Sequence, residues 1–263
     1  MNTICLTTVA SRNLTTLFVS CCMLHPQIQT LNHCPSMNES PKTDWLKDYS
    51  NEKINNFINR VKHINKHEIN VDRDGGVIVT DHAFKGYIKE AFEKRYTTLI
   101  KEDMKSIVWK DSPRNTKLLM NQNIEELIKK NDKLRFILII RNPMDTAKSS
   151  SNPGYNIRYR DPSKEEILTE LFERYEWFFE NEKKDPKHFM HFFQDEVSDE
   201  LLERIEGFLM VDRDDRWRDD FKKSWVLKVS YDHASEFKEL YKSLIDKYNF
   251  DNREKFEKFT NEK

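Results

Sequence analysis

Glycine is scarce in this chain, with five in 263 residues. A triphosphate loop of the Gly-x-x-x-x-Gly-Lys-[Ser/Thr] kind is missing, so any phosphate loop must be built from residues that carry side chains. The four cysteines, Cys5, Cys21, Cys22 and Cys34, follow no metal-ligand spacing. Adjacent cysteines rarely pair with each other, which argues against zinc ribbons and disulfide scaffolds and for a reduced, cytoplasmic protein. Excess charge is missing too: Lys and Arg number 44, Asp and Glu 45, and the net charge is -1. A broad nucleic-acid footprint is not expected, and any anion site must be local. No apolar run is long enough to span a membrane. The first 24 residues lack a basic start and carry Arg12 in their middle, so they read as fold and not as a targeting segment.

What is present is a recurring strand-then-helix pattern in a chain long enough for one substantial core, read as a single domain over 1–263. Short β-rich runs occur at 3–9, 28–31, 77–80, 107–109, 134–140 and 189–193. Helical periodicity marks the stretch after residue 14, then 45–64, 88–101, 123–130, 167–179, 198–209 and 235–247. The aromatic stripe Leu168, Leu171, Phe172, Tyr175, Phe178 and Phe179 reads as core. Such alternation implies an α/β, three-layer architecture with a mostly parallel central sheet covered on both faces. Ligands of these sheets sit beyond the carboxyl ends of the strands.

Two strand ends carry chemistry. The apolar run 134–140 ends at Arg141, after which Asn142 suits a helix cap and Pro143 the first helical position. Ser149 lies two turns on, so Arg141 and Ser149 can converge on one anionic group. At the first strand end, Arg12, Asn13, Leu14, Thr15 and Thr16 occupy the place of a phosphate loop leading into a helix. A nucleotide kinase is disfavoured, because neither the glycines nor the Lys-[Ser/Thr] pair that holds magnesium and phosphates is there.

Arg12-Asn13-Leu14-Thr15-Thr16-Leu17, His25-Pro26 through Asn32-His33, Trp109-Lys110-Asp111-Ser112-Pro113-Arg114, and Arg141-Asn142-Pro143 with Ser149 occur in one order. Together they resemble the sulfotransferases that use 3′-phosphoadenosine 5′-phosphosulfate (PAPS), most closely the bacterial and protein-tyrosine branches. Gln194 to Val197 and Ile205 to Leu209 extend the likeness to about residue 210. The resemblance implies a P-loop nucleotide-kinase-like sulfotransferase fold. It also implies sulfuryl transfer from PAPS, without metal, to a hydroxyl or amine of a small-molecule, carbohydrate or peptide acceptor.

Roles follow from the resemblance. Arg12, Asn13, Leu14, Thr15 and Thr16 would surround the 5′-phosphosulfate, Arg141 and Ser149 would grip the 3′-phosphate, and Lys222 and Lys223 would lie in a basic segment returning over it. Lys110 would meet the transferring group. Two histidines are candidates for the base: His33, where the tyrosine-directed enzymes carry a glutamate, and His82, which resembles the Thr-His pair of small-molecule sulfotransferases. Leu14 departs from the pattern, standing where the family has glycine and where left-handed backbone or close approach is expected. The alternative is therefore a non-catalytic nucleotide-binding or interaction protein on the same fold.

Overall fold

A computed structural model describes residues 2–9, 12–32, 59, 84–98, 100–110, 116, 117, 119–151, 162–227 and 231–260. Its elements run β1 (Thr3–Thr7), α1 (Thr15–Cys22), β2 (Ile28–Asn32), α2 (Gly86–Glu93), β3 (Ser106–Lys110), α3 (Ile124–Lys130), β4 (Leu134–Ile140) and α4 (Pro143–Ser150). They continue with α5 (Lys164–Lys184), β5 (Phe189–Phe193), α6 (Asp199–Leu209), α7 (Asp215–Ser224), α8 (Ser235–Tyr248) and α9 (Arg253–Lys258). The expected helix at 45–64 and strand at 77–80 fall outside the described residues, Asn59 apart.

The five strands form one all-parallel sheet in the order β2-β3-β1-β4-β5. β1, β3 and β4 are buried throughout, as a parallel sheet covered by helices on both faces requires. Period-two alternation in β5 shows the two layers. Phe192 meets Phe18 of α1 and Trp225, with ring centroids 5.8 and 5.9 Å apart. Phe189 and His191 meet Phe178 and Phe179 of α5 at 5.3 and 5.0 Å, and Phe193 meets Phe256 of α9 at 5.3 Å. The stripe on α5 is core, with Phe172 ringed by Tyr241, Tyr248, Phe250 and Phe256. Among the described residues no helix is long and apolar enough to cross a membrane. Cys5, Cys21 and Cys22 are free and buried, and burial pushes their thiols upward; Cys34 lies outside the described residues.

α7 has no hydrophobic signature in the sequence, yet it is half core. Trp217 and Phe221 are fully buried, and Trp217 Nε1 donates to the Cys21 carbonyl at 3.0 Å. Its charged residues are buried in pairs: Arg218 with Glu206 at 2.5 Å, and Asp220 with Arg95 and the Tyr87 hydroxyl. Paired charges can enter a core that single ones cannot.

Lys101 has no such pair, with 5% exposure, no hydrogen-bond partner for Nζ, and the rings of Phe92 and Tyr96 beneath it. Burial brings its amine down to about 6, so it is neutral in the folded protein at pH 7 but charged in the unfolded chain. Folding therefore carries a penalty that grows as pH falls below the unfolded value and disappears above it. Lys101→Met is expected to raise stability by roughly 2–4 kcal/mol at pH 7 in urea titrations, and by much less at pH 10. A pH-independent gain would contradict a neutral buried amine.

Candidate functional site

The carboxyl ends of three neighbouring strands meet around β1. Strand register sets Leu6 beside Trp109 and Thr7 beside Ile137, so Lys110 flanks the end of β1 on one side and Arg141 follows β4 on the other. The chain leaving β1 enters α1 between them. This is the edge at which parallel α/β sheets collect ligands.

The link from β1 to α1 does without glycine by holding ordinary residues in left-handed backbone. Val9, Arg12 and Leu14 have φ of 76°, 68° and 56°. Such a conformation costs an L-residue about 1–2 kcal/mol, and something must fix it. Val9 is clamped from both sides: its N–H donates to the buried Thr116 hydroxyl, and its carbonyl accepts from Arg174 Nη1 of α5 at 3.0 Å. The fully buried Asn13 does the rest. Its Nδ2 donates to the Ile139 carbonyl, while Oδ1 accepts from the Arg141 N–H at 3.0 Å and the Thr146 hydroxyl at 3.5 Å. The Asn13 side chain thus ties the loop to the end of β4, and its carboxamide is engaged within the protein.

Leu14 is the N-cap of α1, left-handed at φ 56° and ψ 8°. A leucine offers no side-chain acceptor, so the first-turn amides of α1 are uncapped, and no acidic residue occupies that turn. Thr15, the first helical residue, is 1% exposed and its hydroxyl has no hydrogen-bond partner. Thr16 is half-buried beside it. Uncapped amides, the positive end of a helix and an orphaned buried hydroxyl are together chemistry that suits an anion.

Arg141 faces the same loop. Its side chain is 13% exposed, with Nη1 3.4 Å from the Arg12 carbonyl and Nη2 3.4 Å from Asp145 Oδ2. Both contacts are long for a charged donor, leaving the guanidinium able to turn to a stronger acceptor. α4 begins as the sequence predicted: Asn142 caps it through the Met144 N–H at 3.1 Å, and Pro143 takes the first position. Ser149 lies eight residues beyond Arg141 on α4, half-buried and without a partner among the described residues. Lys110 ends β3 at 5% exposure.

Residues with no signal of function in the sequence motifs complete this side. Asp145 Oδ1 accepts from His233 Nε2 at 2.9 Å and from the Tyr231 N–H at 3.1 Å, drawing the segment after α7 across α4. Lys148 Nζ donates to the Asp232 carbonyl at 3.1 Å, and the Tyr231 ring lies 6.0 Å from the Arg141 guanidinium carbon. The i, i+4 spacing of Arg141 and Asp145 was a usable signal; nothing local pointed to His233.

The remaining expected residues are not brought to this group by the described contacts. Lys222 pairs with Asp199 at 2.8 and 3.0 Å, and Lys223 is exposed in the last turn of α7. His33 and His82 lie outside the described residues. His25, part of the same motif as His33, is a buried structural residue. Its Nδ1 accepts from the Gln27 N–H and its Nε2 donates to the Asp212 carbonyl, both at 3.1 Å, and burial lowers its pKa. Among the described residues no group of His, Cys, Asp and Glu converges as a metal site.

Asn13→Ala strands the Ile139 carbonyl and the Arg141 N–H in the interior. We expect a loss of roughly 2–3 kcal/mol in chemical denaturation. An unchanged midpoint would mean that the loop is held by other contacts.

No protein-family model and no curated protein matches this chain. Similar solved structures include mouse sulfotransferase SULT7A1 complexed with PAP, at 13% identity over 99% of this chain and 88% of that one, with a TM-score of 0.46. They also include the sulfotransferase domain of the Synechococcus PCC 7002 olefin synthase, at 14% identity over 94% of this chain and 86% of that one, with a TM-score of 0.47.

Proposed function

We propose that the protein is a sulfotransferase that binds PAPS at the carboxyl edge of the sheet and transfers its sulfuryl group to an acceptor hydroxyl or amine. The observation that carries this reading is the anion receptor at α1: uncapped amides and a buried, unpartnered Thr15 hydroxyl, set between the strand ends that bear Lys110 and Arg141. The α1 amides with Thr15 and Thr16 hold the 5′-phosphosulfate. Arg141 and Ser149 hold the 3′-phosphate, with Asp145 fixing the angle of Arg141. Asn13 serves by bracing the loop, and Lys222, already paired with Asp199, is left out of the grip.

Sulfuryl transfer forms a bond from the acceptor oxygen or nitrogen to sulfur and breaks the bond from sulfur to the bridging oxygen of the phosphosulfate. Charge builds on that bridging oxygen, where the Lys110 ammonium and the α1 amides stabilise it before the nucleotide bisphosphate departs. The acceptor proton passes to His33 or His82. The motifs at 12–17 and 25–33 favour the protein-tyrosine and bacterial branches of the family.

Isothermal titration with 3′-phosphoadenosine 5′-phosphate is expected to show one site, with affinity reduced at least about thirtyfold in Arg141→Ala, the loss of one charged hydrogen-bonding group. Equal affinity in wild type and variant would refute the clamp. Binding without transfer of labelled sulfuryl to any acceptor class would favour the non-catalytic alternative.

A further inference from the structure

The opposite, amino-terminal edge of the sheet holds a second site of different character. A cavity of about 420 Å³ opens where β4 and β5 begin, walled by Arg135, Phe189, Met190 and, from α6, Arg204 and Phe208. Arg135 is 3% exposed. Its Nη1 donates to the carbonyls of Asp132 and Leu134, each at 2.7 Å, while Nη2 meets only the thioether of Met210 at 3.5 Å. No described carboxylate lies within ion-pair distance of it; Asp132 and Asp185 act on it from farther away, and burial is the larger effect and lowers its pKa. A buried guanidinium held by carbonyls, with carboxylates only beyond ion-pair distance, gains from an anion that reaches it.

The rest of the lining has the same bias. Arg204 is exposed and unpartnered among the described residues, and Lys187 makes only a 3.8 Å contact with exposed Asp132. The lining carboxylate, Glu182, is committed to His191 through contacts of 2.6 and 2.9 Å. Gly207 adds an independent sign. It sits inside α6, where glycine weakens a helix, although a Cβ there would meet nothing within 4 Å. Gly207 lines the cavity, and there is room there for a side chain.

We propose that this cavity binds a small organic carboxylate, its charge on Arg135 and Arg204 and its apolar body against Phe189, Met190 and Phe208. The planar guanidinium matches a carboxylate edge to edge, and the apolar wall distinguishes such a ligand from inorganic phosphate. Arg141 lies six residue steps beyond Arg135 along β4, about 20 Å at the strand rise, so the two sites do not compete. The proposal stands apart from the sulfotransferase reading.

Sodium benzoate, titrated at constant ionic strength and followed by amide NMR shifts, tests it. Saturable binding is expected, weakened at least tenfold in Gly207→Leu, severalfold in Arg204→Ala, and unchanged in Arg141→Ala. Leucine at 207 adds a helix former in open space, so that variant is expected to melt no lower than wild type. Three results would overturn the proposal: no saturation up to about 20 mM, equal affinity in Gly207→Leu, or inorganic phosphate binding as well as benzoate. Loss of binding in Arg141→Ala would do so as well, by placing the probe at the other edge.

Discussion

The carboxamide of Asn13 joins three parts of the chain that would otherwise be independent: the loop leaving β1, the last turn of β4 and the start of α4. Left-handed backbone at Val9, Arg12 and Leu14 would be abandoned in an unsupported loop, at about 1–2 kcal/mol for each residue. Hydrogen bonds that Asn13 and Arg174 donate and the Thr116 hydroxyl accepts hold it in place. The same bonds fix where the N–H of Arg141 lies relative to the first turn of α1. Both halves of the candidate site are therefore set by one buried side chain whose carboxamide is engaged within the protein.

Around this brace the parallel sheet does simple geometrical work. β1 lies between β3 and β4, so the residues following the three strands must converge. Asp145 adds a second layer of order, holding Arg141 with one oxygen and the Tyr231–His233 segment with the other. Lys148 of α4 reaches the Asp232 carbonyl and so ties the same segment to the helix a second time.

The sheet and most helices were legible in the sequence, because buried parallel strands read as continuous apolar runs and α5 carries an aromatic stripe. The Arg141 helix was legible to its cap and first proline. α7 was not, since its buried surface rests on Trp217 and Phe221 plus ion pairs whose partners lie far away in the chain. The site was half legible. Residue order exposed Arg12 to Thr16, Lys110, Arg141 and Ser149, but no local pattern reveals that Asn13 turns inward to the Ile139 carbonyl. Nor does any local pattern show that Lys222 turns to Asp199 or that His233 crosses 88 residues to reach Asp145. Leu14 shows the limit of reasoning from glycine, because left-handed backbone is available to leucine where buried hydrogen bonds enforce it.

If the first turn of α1 is built to receive an anion, Thr15→Val reports it. Valine keeps the shape of threonine and removes the orphaned hydroxyl. The account predicts opposite signs: the unliganded variant gains about 1 kcal/mol of stability, while affinity for 3′-phosphoadenosine 5′-phosphate falls about tenfold. A variant that loses stability and binds the nucleotide as wild type does would show that the hydroxyl serves the fold, and would contradict the account.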